Sequence, residues 1–263
     1  DLVVTNGRVV TQNERRRVIP DGAVAVADGE ITHVGPAAEV ESAVSAEREI
    51  DAGGAAVIPG LINTHTHVSD ILLRGSSSGD RGLYDWLFNV KQPGVFAMTP
   101  EEHALAARLY SLETISSGTT TFVENDTALN WDSLAPTRNK LEVYREMGVR
   151  SIYGAGMRDR PVDDGFEAMF EDIRARPPDS IHPGPDALVR ETETLLSAVD
   201  SLIEEYHDPA NRQSVWPAPA TVATTTAEGL RGAYRLAEAH DVMTTTHTAE
   251  STAEARERGA LSV

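Results

Sequence analysis

The sequence predicts an α/β fold: a parallel sheet built from βα units, preceded by a small module of short strands. Three observations carry that expectation. Residues 1–56 hold short β-branched runs broken by Asn-Gly and Asp-Gly pairs, the strongest short hairpin signal. From Val57 onward strand-like runs alternate with helical ones, the pattern of βα units. The stretch Val57 to Val68, VIPGLINTHTHV, turns from apolar to polar and delivers His65 and His67 two residues apart. A strand there aims both rings to one side. The expected domains are 1–56 and 57–263.

In the first module, LVVTNGRVVT is expected to fold as a hairpin about Asn6-Gly7, and GAVAVADGEITHVG as a second about Asp28-Gly29. Glu39 to Glu49 reads as a short polar helix or loop, and Ile50 to Gly54 as a turn. His33 falls on a strand edge and is read as structural. The first sheet strand then ends at His65 and His67. Ser69 to Met98 follows, with the Gly-Ser-rich SSSGDRG and the aromatic piece LYDWLF. Loops this long in compact domains are mostly functional or disordered. The aromatic piece is expected to be a short helix over the site. Trp86 is a candidate substrate wall, with core packing as its competing role.

Thr99-Pro100-Glu101-Glu102 is a capping box with Pro at the first helical position. Its helix runs to about Ser117 and stops at Gly118. His103, in the first turn, faces solvent by pattern. Thr119 to Val123 is the second strand, with Glu124, Asn125 and Asp126 at its end. A helix closes over Leu141 to Met147 at Gly148, and Val149 to Tyr153 is the third strand. Phe166 to Arg174 and Ala187 to Tyr206 read as helices, and Val215 to Ala218 as the fourth strand. Thr226 caps a helix over Ala227 to Ala239. Val242 to Thr246 is expected as a fifth strand that delivers His247. Glu250 follows, and Ala253 to Arg258 begins another helix. His182, His207 and His240 lie in loops or at helix ends and are not read as ligands.

Composition narrows the function. The chain has no Cys, so disulfides and thiolate zinc are excluded, and His and carboxylates remain as strong metal ligands. A net charge of −18 argues against binding nucleic acid through its phosphates. Lys91 and Lys140 are the only lysines among 23 basic residues. This acid-rich, Lys-poor balance suits a high-salt cytoplasm and equally a GC-rich genome. No apolar run reaches the length of a membrane span and no signal peptide is visible. A cytoplasmic protein without a membrane partner is expected. The start at Asp1 implies a processed or trimmed N-terminus. A homo-oligomer is left open.

His65, His67 and His247 each end a predicted parallel strand. In a (β/α)8 barrel that rim carries the active site. Three neutral imidazoles can hold one Zn2+ or Fe2+ with an open position for water. Glu250, three residues past His247, is placed either to move a proton or simply to favour a helix N-terminus.

With PGLINTHTH, DWLF, SSGTTTF, LIEEYHDP and HTAE, the chain resembles the amidohydrolase superfamily, in its branch of aromatic-heterocycle deaminases and chlorohydrolases. The resemblance spans essentially the whole chain. It implies a (β/α)8 TIM-type barrel, here incomplete at about five βα units, flanked by an N-terminal β-sandwich. It implies that His65, His67 and His247 bind one divalent metal, zinc or iron, and that Glu250 shuttles the proton. It implies a small heterocyclic substrate that exchanges an amino group or halide for water. Family members also carry a sixth-strand His and an eighth-strand Asp. Neither falls within 263 residues, so a piece of a longer chain is expected, and without them no normal turnover. Nucleoside-acting members carry an acid where Val95 stands and a His where Ala220 stands. That speaks against a ribose-bearing substrate and leaves open a bare heterocycle, such as a guanine-like base or an s-triazine. Cyclic-amide hydrolysis is the enzymatic rival, but Lys91 and Lys140 both precede the fourth strand, where those enzymes place a bridging lysine. A non-catalytic barrel remnant that binds a small molecule or partner is the rival from another class.

Overall fold

The computed structural model describes residues 1–77, 81–126, 133–161 and 188–250. The helices expected over Phe166 to Arg174 and Ala253 to Arg258, and His182, lie outside them, as do residues 78–80 of the Gly-Ser-rich stretch. The chain divides into two compact units, Asp1–Leu61 and Ile62–Val263.

In the first unit strands β1 (Leu2–Val10), β2 (Val18–Ala27), β3 (Glu30–Pro36) and β4 (Arg48–Asp51) form one sheet in the order β3-β2-β1-β4, and β5 (Ala56–Val57) also pairs with β1. Asp28 and Gly29, both at positive φ, make the expected tight turn between β2 and β3. The Asn6-Gly7 hairpin does not form. Leu2–Val10 runs straight through it as one strand, and the pairing with β2 shifts register on both sides of Gly7. Asn6 takes φ 53°. The pair makes a bulge because β1 finds partners on both flanks, whereas a turn there would forfeit both ladders. A Cβ at Gly7 would stand 2.5 Å from Val57 Cγ2, which fixes glycine at the bulge. Helix α1 (Ala37–Ala43) buries Ala37 and Val40 against Val3, Ala23 and Ala25. The unit is thus one sheet under one helix. The second sheet of a sandwich is not among the described residues.

The second sheet of the chain has the order β6 (Leu61–Thr66), β7 (Thr119–Asp126), β8 (Arg150–Met157), β9 (Gln213–Pro219). β7, β8 and β9 run parallel. Helix α4 (Pro100–Ser116) connects towards β7, α5 (Ala135–Met147) lies between β7 and β8, α6 (Thr192–Tyr206) precedes β9, and α7 (Ala227–Ala239) follows it. The expected caps form. Thr99 Oγ1 accepts from the Glu102 N–H while Glu102 accepts from the Thr99 N–H, and Gly148 ends α5 at φ 67°. Phe122, Leu141, Tyr144, Tyr153, Met157, Leu195 and Leu202 fill the space between sheet and helices.

The fifth strand is corrected. Val242 to Thr246 forms no strand, and this segment joins the sheet by one parallel bridge, Thr221 to His247. The Thr245 and His247 N–H groups donate to Pro217 O and Ala220 O. The reverse bonds are missing at Pro217 and Pro219, which have no N–H to give, so the ladder is one-sided. α4 departs from its pattern as well. It buries His103, Ala106, Ala107, Ser111 and Thr114, and leaves Leu105, Leu109, Leu112 and Ile115 exposed. Among the described residues no helix is long and apolar enough to cross a membrane.

Candidate metal centre

His65 lies on β6 and His67 directly after it. His247 reaches the same place from the bridge to Thr221. One ring nitrogen from each lies within 4.8 Å of the others. The rings of His65 stand edge-on to those of His67 and His247, at centroid distances of 5.0 and 4.9 Å, while His67 and His247 stack at 5.2 Å.

The outer nitrogens decide what the inner ones can do. His67 Nδ1–H donates to the Asn125 carbonyl at 2.7 Å and His247 Nδ1–H to the Ala220 carbonyl at 2.7 Å. In a neutral imidazole the proton is then spent, and Nε2 carries a bare lone pair. These two Nε2 atoms face each other at 3.4 Å. Two acceptors cannot hydrogen-bond, so a cation between them is what the geometry suits. Ligands about 2.1 Å from a tetrahedral zinc stand about 3.4 Å apart, which matches. His65 Nδ1 meets the Asn125 side-chain amide at 3.0 Å. Burial first, then the charge of Lys91, pushes His67 down to about 3, so it is neutral at pH 7 as a ligand must be.

Beside the three rings is a cavity of about 80 Å3 whose walls include His67, Trp86, Lys91, Arg158, His247 and Glu250. The expected site residues Trp86 and Glu250 therefore both face it. The aromatic piece is helical, as α2 (Leu83–Trp86), a wider π turn over Leu87–Lys91, and α3 (Gln92–Ala97). Within the π turn the Gln92 N–H reaches back five residues to Leu87 O. Pro93 has no N–H to continue the regular ladder, and single π turns recur at functional sites. The turn brings Lys91 to the cavity wall. Its ammonium is buried, 3.4 Å from Asp70 and 5.5 Å from the Trp86 ring centroid. Burial lowers its pKa against the pull of Asp70.

Behind Asn125 is a second charged group. Glu124 and Asp126 flank it on β7 and point to the opposite side of the strand. Lys140 of α5 bonds both carboxylates, 2.7 Å to Glu124. Tyr144 and Tyr153 donate to Glu124 and Asp126, each at 2.6 Å. All five side chains are buried. Burial raises Glu124. For Asp126 burial is outweighed by Lys140 and the hydrogen bonds, which leave it low.

Sequence reasoning missed Asn125, Lys91 and the Lys140 group. Lys91 had a signal, as one of two lysines in the chain. Of the positions compared for substrate, Ala220 is on the cavity wall. Val95 is buried and lines a separate cleft of about 10 Å3 with His67, Ser69 and Asp70.

A model described as the amidohydrolase family matches residues 56–261. A 5-methylthioadenosine/S-adenosylhomocysteine deaminase of Nitratidesulfovibrio vulgaris (strain DSM 19637 / Miyazaki F) is 33% identical over 255 residues, which are 97% of this chain and 50% of that protein. The structure of an adenosine deaminase from Xanthomonas campestris with bound zinc superposes with a TM-score of 0.79 at 27% identity, covering 99% of this chain and 52% of that one. A variant of atrazine chlorohydrolase from Arthrobacter aurescens TC1, complexed with zinc and atraton, shares the fold at a TM-score of 0.79 and 18% identity, covering 98% of this chain and 56% of that one. The chain spans about half the length of these relatives. By the match over residues 56–261, it belongs to the amidohydrolase family.

Proposed function

We propose that the protein of this chain is a metal-dependent hydrolase that replaces an amino group, or a halide, on an aromatic C=N carbon by water. The observation that carries this reading is the approach of His67 Nε2 and His247 Nε2 to 3.4 Å while each Nδ1 meets a backbone carbonyl, with His65 beside them and Glu250 on the adjoining cavity wall. A divalent ion held by these three histidines, zinc or iron, supplies a Lewis acid that makes water a nucleophile at neutral pH. Glu250 takes a proton from the attacking water and gives it to the ring nitrogen beside the attacked carbon; the hydroxyl's remaining proton leaves with the amino group as ammonia, or with the halide as its acid. Trp86 offers an indole face on which a flat heterocycle can stack. Lys91 and Arg158 make the wall cationic. The sheet of the second unit is read as part of a (β/α)8 barrel spanning 57–263, with 1–56 as part of a small β-sandwich.

Two of the three relatives described above are named for nucleoside-like substrates, which gives the assay its first arm; the third is named for atrazine, and bare bases and s-triazines give the second. The bridging-lysine chemistry of cyclic-amide hydrolases is not favoured. Lys140 is enclosed by Glu124 and Asp126, and Lys91 is paired with Asp70.

The test is metal content and ammonia release by the whole purified protein. About one zinc or iron per chain is expected. His65→Ala is expected to lose it. Glu250→Gln is expected to keep the metal and lose at least about 100-fold in rate. A Glu250→Gln protein with unchanged turnover, or a wild type that retains no metal, defeats the reading.

A further inference from the structure

The geometry points to Asn125 as the positioning residue that sets the proton and the aim of His65, an inference that deepens the metal-centre reading and rests on it. A ligating imidazole needs one bare nitrogen, so its other nitrogen carries the proton and needs an acceptor. His67 and His247 have backbone carbonyls there, at 2.7 Å each. A carbonyl only accepts, so those two tautomers are fixed. His65 differs. Its Nδ1 stands 3.0 Å from Nδ2 of the Asn125 side chain, the donor end of an amide whose other end, Oδ1, accepts. With Nδ2 towards the ring, Nδ1 accepts and the proton sits on Nε2, which then cannot ligate. With Oδ1 towards the ring, Nδ1–H donates and Nε2 is bare. A half-turn of one amide switches His65 between blocked and competent.

Two further observations single out this residue. His65 is the exposed member of the triad, while His67 and His247 are partly buried. It has the least packing to hold its ring, so the hydrogen bond carries more of the aim. Asn125, by contrast, is 4% exposed and its strand neighbours are tied down. Glu124 and Asp126 are bonded to Lys140, Tyr144 and Tyr153, so α5 and β8 hold the strand on which Asn125 stands. The same residue's carbonyl holds His67. That half of the clamp survives any substitution of the side chain, so variants at 125 isolate His65.

The experiment titrates metal-free purified protein with Co2+, reads its d–d absorption, and measures affinity by chelator competition. Wild type, His65→Ala, Asn125→Ser and Asn125→Asp are compared, with a thermal melt of each metal-free form. Serine is too short to reach Nδ1, and aspartate only accepts. Asn125→Ser is expected to bind about 10- to 100-fold more weakly with a shifted Co2+ spectrum. Asn125→Asp is expected to stay within about threefold of wild type, as outer-shell acceptors of metal-bound histidine do. An Asn125→Ser protein that keeps wild-type affinity and spectrum overturns the inference, even if its melt falls, while loss of metal in His65→Ala still upholds the metal centre. Asn125→Asp binding as weakly as Asn125→Ser overturns it also. Should Asn125→Ser not fold, Asn125→Asp decides alone, and a tenfold loss refutes. A wild type that takes up no Co2+ overturns both the inference and the reading beneath it.

Discussion

Replacing Lys140 by Met tests the buried charge group behind the metal centre, and the structure sets the size of the effect. The ammonium is fully buried and bonds Glu124 and Asp126. Removing it leaves two carboxylates close together inside the protein. Glu124 keeps the Tyr144 hydroxyl as a donor and Asp126 keeps that of Tyr153. That does not neutralise them, and breaking a buried ion pair by deleting one partner costs about 3–5 kcal/mol. A ceiling follows independently. A carboxylate can always escape by taking a proton, and one proton restores the net charge the group has now. Glu124, already raised by burial, takes it first. From its ordinary value of 4.5 to pH 7, at about 1.4 kcal/mol per unit, that costs about 3 kcal/mol. At pH 5 the same step costs about 1 kcal/mol. Lys140→Met is therefore expected to lose about 3 kcal/mol at pH 7, a large share of a typical domain's 5–15 kcal/mol, and much less at pH 5. Urea unfolding at both pH values measures this as a shift in midpoint at constant slope. A loss of the same size at both pH values refutes the charge argument, and so does a loss under about 1 kcal/mol at pH 7.

Two other perturbations follow from single residues. His103 is fully buried and hydrogen-bonded to Ser69 at 2.9 Å, and burial, then Lys140, pushes it down from 6.5 to about 4. A depressed histidine contributes stability that is complete above 6.5 and is lost as pH falls towards 4, because the unfolded chain takes the proton first. The loss is at most about 3 kcal/mol, and His103→Gln should flatten it. An unchanged acid slope in that variant would rule His103 out. Asp159 accepts from Thr192 Oγ1 at 2.7 Å and from Thr226 N and Oγ1 at 2.6 and 2.7 Å, so one carboxylate ties the first turns of α6 and α7 together. Asp159→Ala is expected to cost about 2–3 kcal/mol and to raise amide exchange at both helix starts. Exchange confined to one of them would show that the tie is not shared.

What the sequence made legible was local, and what it hid was relational. The capping box at Thr99, the stop at Gly148 and the turn at Asp28-Gly29 depend on neighbours within four residues, and all form. The histidines were found because H-x-H and H-x-x-E put the chemistry into short spacings, although His67 and His247 stand 180 positions apart. Asn6-Gly7 carried an equally strong local signal and failed, because ladders on both flanks of β1 outweigh a two-residue preference. Val242 to Thr246 has strand-forming residues, but a strand also needs donors on its neighbour, and Pro217 and Pro219 withhold them. His103 looked solvated because α4 was read as if its polar side chains faced water, and no local spacing marked Lys140 as buried. The sheet inverts that. Glu124 and Asp126 point towards the helices, so α5 must answer them with Lys140 and Tyr144 rather than with leucines. That choice has a consequence for the site. A leucine layer would hold β7 against α5 through contacts that can slide, whereas hydrogen-bonded charges hold it at one register. Asn125, between the two carboxylates, therefore meets His65 and His67 from one fixed position, and the polar core behind the site and the ligand geometry within it are two faces of the same three strand residues.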